Sequence, residues 1–180
     1  MFVLGGIRGV PVAEREDLVA LPVLDALRLA GALDRVEVAE IDPALSETAA
    51  TEEAYGLDAR TLVNCVLVGG RRDGVERVAV CLVPSTKRVD VNGFVRRRLD
   101  VRKASFLPRE EAVGRSGMEF GGITAIGLPA GWPVLMDADA AAEPLVLVGS
   151  GVRRSKLLLP GSLLATLSAA DVTPELARSS

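Results

Sequence analysis

The sequence predicts a mixed α/β fold: a largely antiparallel sheet or partly closed barrel with short surrounding helices. Three observations lead there. Many short apolar runs are bounded by Gly, Pro, Asn and Asp. Two of them, Leu62 to Val68 and Val75 to Val83, are joined by Gly69-Gly70-Arg71-Arg72-Asp73-Gly74 and read as a hairpin. The helical stretches are short and scattered, unlike the regular alternation of a doubly wound parallel sheet.

Taken in order, Leu18 to Leu33 carries apolar residues at helical spacing, with Pro22 tolerable in the first turn and Gly31 near the end. Val36 to Ile41 alternates apolar and acidic residues like a half-buried strand, and Asp42-Pro43 ends it. Ser46 is a candidate N-cap for a helix to Tyr55, with Gly56 at its C-terminus. After the hairpin, Asp90 or Asn92 caps a short helix to about Leu99. Lys103 to Leu107 reads as a strand, and Pro108 opens a helix from Arg109 to Gly114. Strands at Pro133–Met136, Leu145–Val148 and Lys156–Leu159 precede a closing helix, Ser162 to Leu167. The tail after Asp171 is expected to fray.

The chain's 180 residues suit one domain spanning 1–180, with its core at about 18–170. With 49% hydrophobic and 25% charged residues it can bury a core and remain soluble. No run is apolar enough to span a bilayer, and Arg8 interrupts the mildly apolar start, so neither a membrane segment nor a signal peptide is expected. Cys65 and Cys81 lack disulfide or zinc spacing and read as reduced core thiols, which points to the cytoplasm.

The sequence contains no histidine, which excludes histidine-dependent triads and ordinary histidine metal sites. No metal or other cofactor is expected. The net charge of -3 argues against a generic polyanion binder. The middle of the chain is nevertheless basic. Arg96, Arg97, Arg98, Arg102 and Lys103 are either a solvated face or a patch for an RNA backbone.

The most informative stretch runs from Gly114 to Gly127. Gly121-Gly122 suits a loop in which backbone approaches a ligand or reaches positive φ. Free N–H groups in such a loop can hold a carboxylate, a phosphate or a developing oxyanion, although a plain tight turn would look the same. Gly149-Ser150-Gly151 follows a strand and is a second small-residue turn. Ser150 has no histidine to activate it but could donate a hydrogen bond. Asp137, at a strand end, either caps a turn or binds a substrate ammonium. Asn64 is polar within an apolar strand and needs a partner or a pocket. By alternation Cys65 should face away from Asn64, so the two should not share a pocket.

Together these segments resemble the YbaK family of editing domains associated with prolyl-tRNA synthetase. The resemblance runs from about Val36 to Leu167. It rests on Arg115-Ser116 through Gly121-Gly122-Ile123 to Gly127, on Leu135-Met136-Asp137, on Val148-Gly149-Ser150-Gly151, and on Glu40-Ile41-Asp42-Pro43. It implies a mixed α/β fold around a small pocket and metal-free hydrolysis of the ester joining a wrong amino acid to a tRNA. The tRNA acceptor end and an aminoacyl-tRNA synthetase are the implied partners. Family members carry a lysine at the start of the first hairpin strand. Arg60-Thr61-Leu62 is chemically nearer to that motif, but Asn64-Cys65-Val66 fits the spacing better, so Asn64 stands in the lysine's place and Ile41 in that of a histidine.

On this reading the catalytic group is Asn64 with the backbone of Gly121, Gly122 and Ile123. Asp137, Gly149, Ser150 and Gly151 bind substrate, and Arg96, Arg97, Arg98, Arg102 and Lys103 contact RNA. A ribose hydroxyl of the substrate assists the attacking water. The rival reading is a binding module that keeps the pocket without turnover and holds an aminoacyl end, an amino acid or a protein.

Overall fold

The computed structural model describes residues 1–179. Its strands, in chain order, are β1 (Val3–Leu4), β2 (Ile7–Arg8), β3 (Val10–Pro11), β4 (Glu37–Glu40), β5 (Val63–Arg72), β6 (Val75–Pro84), β7 (Lys87–Val89), β8 (Lys103–Phe106), β9 (Val134–Asp137), β10 (Val146–Gly149), β11 (Ser155–Leu159), β12 (Asp171–Thr173) and β13 (Ala177–Ser179). The α-helices are α1 (Leu21–Leu29), α2 (Thr48–Tyr55), α3 (Arg96–Arg98), α4 (Arg109–Ser116), α5 (Ala138–Ala142) and α6 (Gly161–Leu167).

Two sheets dominate. One has the order β12-β9-β6-β5-β8, the other β10-β11-β4-β3. Pairing is mostly antiparallel; β9 runs parallel to both β6 and β12. The fold is therefore the expected mixed α/β class, and no barrel closes among the described residues. The two sheets meet edge to edge at a single parallel bridge, Leu62 to Leu147.

The hairpin is longer and its turn tighter than the sequence suggests. β5 and β6 pair from Val63↔Pro84 to Arg72↔Val75, leaving only Asp73-Gly74 in the turn. Both have positive φ, 50° and 80°, as a type I′ turn requires. Gly69 to Arg72, expected in the turn, extend the strand because β8 pairs with this end of β5, from Val68↔Phe106 to Arg71↔Lys103.

Alternation along the hairpin feeds two cores. Val80 and Leu82 pack into the main cluster with Val23, Leu27, Met136 and Leu157. Ala79, Cys81 and Val83 pack on the opposite face with Val95, Leu99 and Leu176. Leu176 is fully buried, which explains why the tail is ordered rather than frayed. β12 joins β9, and β13 pairs with β7.

The capping expectations divide. Gly56 ends α2 in the left-handed conformation, and Asp90 caps the turn before α3 by accepting from the Gly93 and Phe94 N–H groups. Ser46, in contrast, is not the N-cap of α2; Glu47 occupies that position. The Asp42-capped turn Pro43–Leu45 sets the entry of the chain, and Ser46 is left buried behind it.

Candidate functional site

Beside the Leu62–Leu147 bridge a cavity of about 260 Å³ lies between the two sheets. One wall is Leu62 to Val66 at the start of β5, the other Leu147, Val148 and Gly149 of β10 with Lys156 of β11. Ser46, Glu47, Thr48 and Thr51 close one side, and Phe120, Gly121 and Ile123 the other. The volume lies below the roughly 300–1,000 Å³ usual for drug-sized ligands. It suits a small group carried by a larger molecule that stays outside.

The glycine loop is built by backbone contacts. The Gly122 N–H donates to Glu119 O at 2.9 Å, and the Gly151 N–H donates to Gly122 O at 2.7 Å. Gly121 has φ +86°, and a side chain there would meet the Arg153 guanidinium at 2.9 Å. Gly149 must also be glycine, because a Cβ would run into the Gly122 carbonyl. Among the described residues the N–H groups of Gly121 and Ile123, both bordering the cavity, donate to no protein acceptor.

Asn64 lies on the opposite wall. The Thr48 hydroxyl donates to its Oδ1 at 2.6 Å, which leaves the amide NH₂ for a ligand. Cys65 also borders the cavity, contrary to the alternation argument. β8 pairs with β5 only from Val68 onward, so the edge of β5 before that point is open and consecutive residues reach the cavity. Cys65 packs against the main core, and burial pushes its thiol pKa up; burial pushes Cys81 up to about 12. Neither thiol is a nucleophile at neutral pH.

The structure thus brings Asn64, Gly121, Ile123 and Gly149 together. It does not bring in the rest of the expected set. Gly122 is buried and does not line the cavity, and its N–H is already used. Asp137 is fully buried elsewhere. It caps α5 through the Asp139 N–H and accepts from Lys87 Nζ at 2.8 Å, so a strand-end carboxylate has taken the capping role. Ser150 is buried among Ser155 Oγ at 2.7 Å and the carbonyls of Ser155 and Val152, and Gly151 is buried against Ala20. These two shape the loop that carries Gly149 without touching the cavity.

The basic residues lie at the far end of β5. Lys103 pairs with Arg71, seven residues along the strand from Asn64, or about 23 Å at the usual rise. Arg98 pairs with Asp171 at 2.9 Å, Arg102 with Asp73 at 3.3 Å, and Arg96 donates to the Asn92 carbonyl. Arg97 and Lys103 make no ion pair among the described residues and are exposed.

Sequence reasoning missed Lys156. It is 9% exposed, lines the cavity, and donates from Nζ to the carbonyls of Ser46 at 2.8 Å and Gly121 at 3.3 Å. Burial lowers its pKa from 10.5 to about 8, against the opposing pull of Glu47. Also missed was Phe120, 38% exposed at the cavity rim with the Arg109 guanidinium 4.5 Å above its ring. Among the described residues no group of three or more His, Cys, Asp or Glu is placed to hold a metal ion. Among the described residues no helix is long and apolar enough to cross a membrane.

A cleft between two sheet edges, floored by glycine backbone and holding a few polar side chains, defines a small-group pocket protein of mixed α/β class. The chain belongs to the aminoacyl-tRNA editing domain family, which matches residues 42–167. Among solved structures it is similar to a candidate trans-editing enzyme for prolyl tRNA synthetase: 22% identity, TM-score 0.74, covering 88% of this chain and 96% of that one. A hypothetical protein, APE2540, is similar at 17% identity and TM-score 0.74, covering 87% and 99%. A protein from work on epitope backbone grafting onto scaffold proteins aligns at 21% identity and TM-score 0.75, covering 89% and 97%. At these identities the likeness concerns the fold. No curated protein matches the chain.

Proposed function

We propose that the protein is an aminoacyl-tRNA deacylase that acts in trans, hydrolysing the ester of a mischarged tRNA in the cavity between β5 and β10. Membership of the editing domain family supports the editing role. The observation that carries the chemistry is that Gly121 and Ile123, whose N–H groups have no protein acceptor, line one cavity with Asn64, whose Oδ1 is held by Thr48 and whose NH₂ is left for a ligand.

An aminoacyl ester is already activated, so positioning and oxyanion stabilisation supply most of what hydrolysis needs. The free amides hold the ester carbonyl, and the Asn64 NH₂ orients it or the adjoining ribose. Water adds to the carbonyl carbon, the bond to the ribose oxygen breaks, and that oxygen takes up a proton. The neighbouring ribose hydroxyl relays it, so no histidine is required. Phe120, exposed at the rim, gives the terminal base an aromatic surface to pack against. Lys103, about 23 Å away along the strand, is within reach of the acceptor stem rather than the terminal nucleotide, and Arg97 is a second exposed cation of the same basic segment. The partner is the tRNA acceptor end, with a synthetase as a further partner of the same reading, and the compartment is the cytoplasm.

The test is a panel of mischarged tRNAs. Catalytic release of free amino acid from at least one of them supports the deacylase reading. Binding of a non-hydrolysable 3′-aminoacyl amide with no turnover on any ester would favour the binding module instead.

A further inference from the structure

Lys156 is a cation buried without a counter-ion. Its Nζ meets only the carbonyls of Ser46 and Gly121, and Glu47 acts on it through space while being exposed and turned to Arg153 at 3.4 Å. Placing an ammonium in a protein interior without an anion is costly, and such groups are usually paired. An ammonium has three N–H donors. Two carbonyls account for two of them, which leaves a third donor on a side chain that lines the cavity.

Beside it lies a second unsatisfied group. Ser46 is 1% exposed, lines the same cavity, and its Oγ has no hydrogen-bond partner. Buried hydroxyls without partners are rare in folded proteins. A cation without a counter-ion and a hydroxyl without a partner therefore line one small space. The free amides of Gly121 and Ile123 border that same space.

We propose that Lys156, supplied by the second sheet, is a catalytic residue: with Ser46 it forms the anion-binding end of the cavity and stabilises the negative charge that develops on the ester carbonyl oxygen. This rests on the deacylase reading. The position that the family's lysine would occupy carries Asn64, whose amide holds no charge, and Lys156 brings a cation into the cavity from the opposite wall. As water adds, the carbonyl π pair moves onto oxygen, where the ammonium and the two amides meet it. On collapse that pair re-forms the carbonyl, the bond to the ribose oxygen breaks, and the ribose oxygen leaves with the proton lost by the water. Lys156 keeps its own protons throughout.

The charged groups that bear on Lys156 are Glu47, at the start of α2, which favours its cationic form, and Arg153, between β10 and β11, which opposes it. The charge is lost as pH rises through about 8. Lys156→Gln keeps N–H donors for the two carbonyls while removing the charge. On the best mischarged tRNA it should lower kcat about 100-fold, the scale of losing one oxyanion donor, with KM little changed. After subtraction of uncatalysed hydrolysis, the wild-type rate should fall above about pH 8, and the variant should lack that limb. A variant that retains wild-type kcat, or that raises KM alone as loss of a ground-state phosphate contact would, overturns the proposal. If the variant does not fold, the wild-type profile decides: a rate that stays level from pH 7 to 9.5 overturns it equally. Failure of the wild type to hydrolyse any ester is read separately, on unmodified protein. It removes the deacylase reading and this role together.

Discussion

The Thr48 hydroxyl donates a 2.6 Å hydrogen bond to Asn64 Oδ1, tying the first turn of α2 to the first residues of β5. This bond fixes which end of the amide faces the cavity. Thr48→Val should free the amide to rotate and raise KM several-fold, with a stability loss of about 1 kcal/mol. Asn64→Ala, which removes the donor itself, should lower kcat/KM about tenfold. Steady-state kinetics on both variants checks the order.

The charge in the cavity should be transferable between its walls. In the Lys156→Gln background, Asn64→Lys should restore turnover, because it returns a cation from the β5 side. In the wild type the same substitution crowds two ammonium groups into one small cavity and should not help. Rates for the single and double variants form the test cycle.

Lys156 makes stability depend on pH in a definite direction. Its pKa falls from 10.5 unfolded to about 8 folded. Below about pH 8 both states are protonated, and the folded state bears a burial cost of roughly 3 kcal/mol. Between about 8 and 10.5 the unfolded chain binds more protons, so stability rises with pH. Urea midpoints of the wild type should climb across this window relative to those of Lys156→Met.

Asp137 should matter to the fold and not to the chemistry. It is fully buried, holds Lys87 at 2.8 Å, and caps α5. Asp137→Ala should destabilise by about 2 kcal/mol or more, the scale of hydrogen bonds to a buried charge, while kcat at a temperature where the variant is folded stays at the wild-type value.

Much of this architecture was legible in the sequence because local chemistry and tertiary structure agree. Asp73-Gly74 can turn a hairpin tightly, Gly56 can end α2, and Asp90 can cap, wherever they sit in space. The glycine loop was legible for the same reason: Gly121 adopts φ +86°. Lys156 was not, because a lysine opening the run Lys-Leu-Leu-Leu resembles an ordinary exposed strand end. A signal was present. Leu157 and Leu159 face the main core, while Leu158, on the same face as Lys156, is buried in a separate cluster. β11 lies inside its sheet and both its faces are packed, so a lysine within it is buried except where it meets the cavity. Asp137 misled for the opposite reason: its matching place in the family's strand pattern says nothing of whether its carboxylate turns to the cavity or to Lys87.

The central claim is that this cavity hydrolyses aminoacyl esters, and its most direct measurement is the amount of free amino acid released from mischarged tRNA by a substoichiometric quantity of protein. The account predicts many turnovers per molecule on at least one mischarged tRNA, reduced about tenfold in Asn64→Ala. Release no faster than in buffer for every aminoacyl-tRNA, from protein that is folded and binds the 3′-aminoacyl amide, would contradict it.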